Sequence, residues 1–234
     1  MTECRIGNTN REFAGGPAPK RSGARGFSLL EVMIVLCVML IILSMSVMLL
    51  NTGLQDSHVR QGYDTSLSQM RMARERAIGE RKQYILCFGV AVPPGAATPL
   101  GAPTAQSIQL FRWDANTALA AAVQVSNLSL PADVQFQTLV GIPTAPGKVP
   151  DGFGLGAVPI DFDQGVAGGN KQQVMFLPDG SARDVNQNLN SGVIYLAKNN
   201  DLYSSHAITL FGASGQSRGW TLTNSGGTAA WYEQ

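Results

Sequence analysis

Histidine, cysteine and charged residues are scarce in this chain, and familiar catalytic motifs are missing. Its 234 residues include two histidines and three cysteines, and only 14% are charged. There is no Gly-x-Ser-x-Gly elbow, His-Glu-x-x-His motif, Walker loop or Cys-x-x-Cys pair. These absences argue against serine or zinc hydrolases, nucleotide-driven enzymes and zinc modules. The sequence therefore predicts no enzyme, no catalytic residues, no cofactor and no metal site.

Three weaker signals for ligands have simpler interpretations. His58 and His206 are expected to be ordinary surface or interface residues. The glycines of Gly152-Phe153-Gly154-Leu155-Gly156 lack the spacing of a nucleotide loop, which favours a flexible loop. Asp161 and Asp163 alternate as in calcium loops, but no late Glu follows in register, so they are expected on one strand face.

One long apolar run contains a single charged residue near its start. From Phe27 to Leu50 the run holds no Pro, no Gly and no charge except Glu31. As a helix these 24 residues would span about 36 Å, enough to cross a bilayer core of about 30 Å. A lone acid in hydrocarbon costs roughly 2.5–3.5 kcal/mol, so Glu31 needs a cation. Cleavage between Gly26 and Phe27 would supply one, the new α-amino group of Phe27.

The charge distribution predicts how the chain would lie in a membrane. Residues 1–26 carry five basic and two acidic side chains, which leaves the rest of the chain near −2 because the total is +1. The positive-inside rule places this basic segment in the cytoplasm and the C-terminal region outside the inner membrane. The nearly neutral remainder argues against broad electrostatic binding to nucleic acid.

The three cysteines are not expected to form a disulfide. Cys4 lies in the basic segment, Cys37 in the apolar run and Cys87 in an apolar stretch further along. Cys37 and Cys87 should not meet within one molecule, so both are predicted to be buried apolar thiols.

A known family shares the pattern around Glu31. The stretch Lys20-Arg21-Ser22-Gly23-Ala24-Arg25-Gly26-Phe27-Ser28-Leu29-Leu30-Glu31 and the apolar residues after it resemble the class III signal of type IV prepilins and type II secretion pseudopilins. The resemblance implies that a membrane prepilin peptidase cuts after Gly26 and N-methylates Phe27. It also implies that Glu31 is the fifth mature residue and serves assembly with other pilins through the N-terminal helix.

Residues 51–82 keep a helical pattern, and strands follow. The predicted apolar stripe consists of Val59, Tyr63, Leu67, Met70, Ala73, Ala77 and Ile78. The opposite, solvated face is predicted to carry Arg60, Asp64, Gln69, Arg71, Arg74, Glu75, Glu80 and Arg81. The expected organisation is a leader over 1–26, a membrane or filament helix over 27–50, its amphipathic continuation over 51–82 and a β-rich head over 83–234. This is an α+β, pilin-like fold with an antiparallel sheet.

Short apolar runs bounded by turn residues predict the strands of the head. They are Gln83–Val92, Ser107–Trp113, Ala122–Val125, Val134–Leu139, Gln173–Leu177, Gly192–Ala197, Ala207–Phe211 and Arg218–Thr223. Pro93–Gln106 and Gly141–Ala157 are predicted to be exposed, mobile loops. Pro178-Asp179-Gly180 is predicted to be a hairpin corner with Pro178 at its first central position.

The head has a second resemblance, to the GspH/FimT group of minor pseudopilins and minor pilins. It is based on three stretches, Leu130–Phe136, Val174–Ala182 and Ala207–Gly212, with Asp133 where that group usually has Gly. The resemblance implies a non-enzymatic subunit of a periplasmic pseudopilus in type II secretion, anchored in the inner membrane.

The alternative is a FimT-type minor pilin that binds DNA during uptake. In such proteins a basic Gly-Arg-x-Arg segment serves this purpose, and Gly215-Gln216-Ser217-Arg218-Gly219-Trp220 resembles it with only Arg218 left of the basic pair. Lys198 and Arg183 could add charge, and Trp220 could stack on a base. Several phosphate contacts are normally needed, so an ordinary hairpin Arg is the preferred interpretation.

Overall fold

A computed structural model of the chain describes residues 27–154, 158–164 and 171–234. The predicted leader, residues 1–26, lies outside the described residues. The chain divides into two compact units, Met1–Val47 and Met48–Gln234. The second is called the head unit below.

One long α-helix begins almost at the predicted cleavage point. Helix α1 spans Leu29–Glu80, and the carbonyl oxygen of Ser28 accepts hydrogen bonds from the N–H groups of Glu31 and Val32 in its first turn. The helix ends where Arg81 adopts a φ of +53°, a left-handed conformation that stops helices. Strand β1 begins two residues later at Gln83.

Eleven strands, counted over the described residues, form two antiparallel sheets in the head unit. They are β1 Gln83–Phe88, β2 Ser107–Trp113, β3 Val123–Ser129, β4 Val134–Phe136, β5 Ile160–Gln164, β6 Gln173–Phe176, β7 Ala182–Arg183, β8 Ser191–Lys198, β9 His206–Phe211, β10 Gln216–Ser225 and β11 Thr228–Glu233. Sheet A has the order β3-β2-β1-β6-β7, and sheet B has the order β11-β10-β9-β8-β4, with β5 also paired to β8. The α+β, pilin-like prediction is confirmed.

A single buried cluster joins α1 to both sheets. Its members include Tyr63 and Met70 from α1, Leu86 and Phe176 from sheet A, and Leu196 from sheet B. The predicted stripe is confirmed except at Ile78, which is 42% exposed.

The buried face of α1 is wider than the predicted stripe. Gln69, placed on the solvated face by periodicity, is only 8% exposed, and Arg74 is half-buried. The solvated assignment of these two residues was wrong because α1 packs against two sheets. A second row of positions beside the predicted stripe is therefore also buried, formed by Gly62, Ser66 and Gln69.

Each predicted strand overlaps an observed strand, but the first and last residues often differ. Strand β2 has the predicted bounds, whereas β1 ends at Phe88 because Gly89 turns the chain with a φ of +66°. Strands β5, β7 and β11 were not predicted. The segment Pro93–Gln106 was predicted to be an exposed loop, which is wrong at Ala96. Ala96 packs against a second buried cluster that includes Phe111 and Met175, as do Ala91 and Val92.

The predicted corner at Pro178 is confirmed. The N–H of Gly180 donates to the carbonyl oxygen of Leu177 at 2.9 Å, which places Pro178 and Asp179 at the centre of a β-turn. Gly180 has a φ of +82°, and the carboxylate of Asp179 accepts from the N–H and hydroxyl of Ser181 at 2.8 and 2.6 Å. These hydrogen bonds lower the pKa of Asp179.

Candidate functional site

Glu31 lies in the first turn of α1, immediately after the predicted cleavage point. Its N–H and that of Val32 donate to the carbonyl oxygen of Ser28 at 2.9 and 3.2 Å. A helix N-terminus carries a partial positive charge, which favours a carboxylate by about 0.3–1 kcal/mol at an exposed position. Glu31 therefore has a local electrostatic partner in addition to the proposed amine of Phe27. Gly26 lies outside the described residues.

This contribution of the helix was not part of the sequence prediction, although a signal for it exists. Ser28-Leu29-Leu30-Glu31 has the Ser-x-x-Glu spacing that marks helix starts before an apolar run. The same four residues thus begin the helix and place the acid three residues after Ser28.

The apolar run after Glu31 is long enough to cross a bilayer. Among the described residues, Leu29–Ser46 is the one helical stretch of suitable length and composition, and none of it is buried. Its large apolar side chains are half or more exposed at most positions, for example 78% at Leu29 and 66% at Leu40. Such a surface needs lipid or other helices around it.

The candidate nucleic-acid residue Arg218 is already engaged by two carboxylates. Its Nη1 lies 3.2 Å from Oδ1 of Asp151, and its Nε lies 3.7 Å from Oε1 of Glu233. Its guanidinium carbon also lies 5.0 Å from the centre of the Phe211 ring. The positive charge of Arg218 is therefore largely compensated within the protein.

Asp151 also holds the candidate stacking residue Trp220. Oδ2 of Asp151 accepts hydrogen bonds from the hydroxyl of Thr209 and, at 3.3 Å, from Nε1 of Trp220. The Asp151 side chain is 10% exposed. Together with Phe153, which packs on Val193 and Tyr195 of sheet B, Asp151 fixes the segment Pro150–Gly154 over the outer face of that sheet. Asp151 was not among the residues predicted from the sequence. This part of the predicted Gly141–Ala157 loop is packed rather than exposed. Residues 155–157 lie outside the described residues.

Lys198 and Arg183 are not brought to Arg218. Strand β10 pairs Arg218 with Thr209, and β9 pairs Thr209 with Val193. Lys198 lies five residues beyond Val193 on β8, which is roughly 16 Å from Val193 at 3.3 Å per residue. Arg183 donates to the carbonyl oxygen of Gln187 and to the hydroxyl of Ser181 at 2.6 and 3.2 Å. The three basic residues among the predicted contacts, Arg183, Lys198 and Arg218, therefore do not form one patch.

Both histidines make contacts that hold the head unit together. Nδ1 of His58, on α1, lies 3.0 Å from a carboxylate oxygen of Asp133 in the loop before β4. Nδ1 of His206 lies 2.6 Å from the hydroxyl of Thr221, and its ring stacks on Tyr63 at 4.9 Å. Burial lowers the pKa of His206. These contacts agree with the prediction that both histidines are ordinary surface or interface residues.

The two aspartates that alternate as in calcium loops lie beside Lys171. Asp161 and Asp163 project from β5, and Nζ of Lys171 lies 3.5 Å from an oxygen of each. Burial raises the pKa of Asp161. Within residues 27–154, 158–164 and 171–234, no group of three or more potential ligands is assembled for a metal ion.

The comparison with protein families gives one match, in the N-terminal segment. Residues 21–47 match the family described as the prokaryotic N-terminal methylation motif. This match supports a type IV prepilin-like N-terminus. No curated protein and no solved structure matches it.

The prepilin motif carries consequences for processing and assembly. It implies cleavage by a prepilin peptidase and assembly with other pilins, and it is typical of structural subunits. The N-terminal apolar helix agrees with a membrane-anchored pilin. Of the two cysteines among the described residues, Cys87 is buried, and burial raises the pKa of its thiol. Cys37 is exposed on the apolar helix, so its predicted burial requires lipid or neighbouring helices.

Proposed function

We propose that this prepilin-like protein is a minor pseudopilin of a type II secretion system. It is inserted in the inner membrane in a single pass, with its leader in the cytoplasm and its head in the periplasm. Prepilin peptidase cuts after Gly26 and methylates Phe27, and the mature subunit joins a periplasmic pseudopilus. Its role is assembly and not the turnover of a substrate.

The observation that carries the proposal is the position of Glu31. Its carboxylate lies in the first turn of a helix whose next 19 residues, through Leu50, contain no other charge. Leaving it unpaired in hydrocarbon costs roughly 2.5–3.5 kcal/mol, whereas burying it beside a cation is far less costly. The amine created at Phe27, on the same or a neighbouring subunit, supplies that cation. Pairing between subunits would set the axial register of packed helices.

The proposed organisation follows from the same residues. Residues 1–26 form the cleaved leader, 27–50 the membrane and filament helix, 51–82 its amphipathic continuation, and 83–234 the head. The basic excess of the leader supports a cytoplasmic N-terminus. Contacts in the filament would use apolar residues of the helix, namely Leu29, Leu30, Val32, Ile34, Val35 and Leu36.

The alternative, a FimT-type pilin that binds DNA, has less support from the head unit. Arg218 is paired with Asp151 and Glu233, and the indole N–H of Trp220 is bonded to Asp151. A phosphate would therefore compete with two carboxylates for the charge of Arg218. This competition favours the pseudopilin over a DNA-binding pilin.

Deletion of the coding sequence in the producing organism tests the two functions together. We expect proteins normally released to the medium to accumulate in the periplasm, while DNA uptake continues. Normal secretion with failed uptake would overturn the pseudopilin in favour of the alternative. Complementation with Glu31→Gln then tests the assembly role: we expect the variant to insert in the membrane but not to enter the filament, whereas Glu31→Asp, which keeps the charge, should restore part of the assembly.

A further inference from the structure

Arginine side chains surround one open cavity of the head unit. The cavity has a volume of about 270 Å³ and lies between α1 and the start of β10. Its lining residues are Arg71, Arg74, Glu75, Gly215, Gln216, Ser217 and Arg218. All of them belong to the head unit, so the cavity does not depend on the membrane helix.

Arg74 is held in a fixed orientation within this cavity. Its Nε donates to the carbonyl oxygens of Gly180 and Ser214 at 3.2 and 3.1 Å, which fixes the plane of the guanidinium group. Over the described ranges, no hydrogen bond or ion pair reaches its two terminal nitrogens. A fixed guanidinium with both terminal nitrogens available matches the two oxygens of a carboxylate, and little side-chain entropy is lost on binding.

Arg71 lies one helical turn before Arg74 and therefore on the same side of α1. It is exposed, and among the residues that the structure describes no hydrogen bond or ion pair reaches it. Arg218 contributes less charge because Asp151 and Glu233 compensate it. The one acid of the lining, Glu75, leaves an excess of positive charge at Arg71 and Arg74.

We infer that this cavity binds an acidic side chain of a partner protein, with the carboxylate held by Arg71 and Arg74. Glu75 in the lining disfavours a phosphate, which carries more negative charge than a carboxylate. The near-neutral mature chain provides no broad field to attract a nucleic acid. The inference goes beyond the proposed function and does not depend on it, because it concerns the head unit alone.

Binding of a labelled hexaglutamate peptide to the full chain in zwitterionic detergent tests this inference. Fluorescence anisotropy would compare it with hexaglutamine and with a labelled single-stranded DNA of equal charge. We expect saturable binding of hexaglutamate only. Arg71→Gln should weaken it about tenfold, because a charge-assisted hydrogen bond to the carboxylate is lost. Arg74→Lys, which keeps the charge but loses the fork, should have a similar effect.

Arg112→Gln is the matched control because Arg112 is an exposed arginine on β2, outside the cavity. Equal weakening by this control would mean nonspecific attraction and overturn the inference. Two other results would also overturn the inference. One is that hexaglutamine binds as tightly as hexaglutamate. The other is that the DNA binds more tightly than hexaglutamate and that Arg71→Gln abolishes this DNA binding. Arg71 is exposed, so its variant stays informative even if Arg74→Lys fails to fold. None of these outcomes touches the role of Glu31.

Discussion

The hydroxyl oxygen of Tyr63 lies 1.5 Å from the point where a Cβ atom on Gly219 would stand. Tyr63 is on α1 and Gly219 is on β10, where it pairs with Ile208 of β9. The same tyrosine ring stacks on His206. A missing side chain on the sheet therefore lets the helix approach sheet B closely.

Gly219→Ala is expected to destabilise the head unit by about 1–3 kcal/mol, because the added methyl group must displace a packed aromatic ring. Denaturant unfolding of the full chain in detergent would measure the loss. Gly79→Ala is the matched control: Gly79 is helical, and a Cβ there meets nothing within 4 Å. That control should be neutral or stabilising by up to about 1 kcal/mol. Equal stability of Gly219→Ala and the parent would contradict the close approach.

Asp151→Asn should destabilise the head unit by about 2–3 kcal/mol, because a nearly buried carboxylate with charged and neutral donors is lost. Asp151 has a φ of +50°, which Asn adopts readily, so the substitution changes the charge without adding backbone strain. Unfolding followed by tryptophan fluorescence would report the change. Asp114→Asn, in an exposed turn, is the control and should stay within about 0.5 kcal/mol of the parent. Identical losses for the two variants would rule out the special role of Asp151.

Stability should fall as the pH drops below about 6.5. Burial lowers the pKa of His206 in the folded chain, so the unfolded chain binds more protons in the interval below 6.5. The contribution of neutral His206 is complete above 6.5 and is lost as the pH falls through the folded pKa. Arg60 and Asp64 of α1 also act on this histidine, in opposite directions. The free energy of unfolding, measured across this interval, should change less steeply with pH for His206→Gln than for the parent. His58 is present in both chains and cannot cause this difference. An equal dependence on pH in the two chains would contradict the assignment to His206.

Gly26→Val should block processing, since the proposed peptidase cuts after this residue. Intact mass measurement of the purified chain should give the full length from Met1 for the variant. The parent should begin at Phe27 and carry one added methyl group. Gly23→Val, within the same leader, is the matched control and should be processed normally. If the Gly26→Val chain still begins at Phe27, the peptidase does not require glycine at this position, which would contradict the prediction.

Much of the fold was predictable because local sequence decides it. The Ser107–Trp113 strand is apolar and bounded by turn residues, and it forms where expected. The stripe of α1 follows from helical spacing. Strand β5 was missed because two aspartates interrupt its apolar residues, and β7 because it has only two residues. Strand β11 is an edge strand whose residues are only half-buried or exposed, so its pattern is weak.

The contacts of the head could not be predicted in the same way. Asp151 meets Thr209, Arg218 and Trp220, which follow it by 58, 67 and 69 residues. Only the folded sheet brings these residues together. Arg74 looked like part of a solvated face because its two carbonyl partners, at Gly180 and Ser214, lie more than 100 residues away. The setting of Glu31 could be predicted because its neighbours in the structure, such as Ser28, are also its neighbours in the sequence.

The double hydrogen bond of Arg74 has a consequence for how the head unfolds. Gly180 belongs to the turn between β6 and β7 in sheet A, and Ser214 to the turn between β9 and β10 in sheet B. A Cβ on Gly215 would lie 2.0 Å from the carbonyl oxygen of Gly180, so the two turns are also in direct contact. Neither sheet can open at this end without breaking contacts of the other. The two sheets should therefore lose protection from amide exchange together, as one cooperative unit.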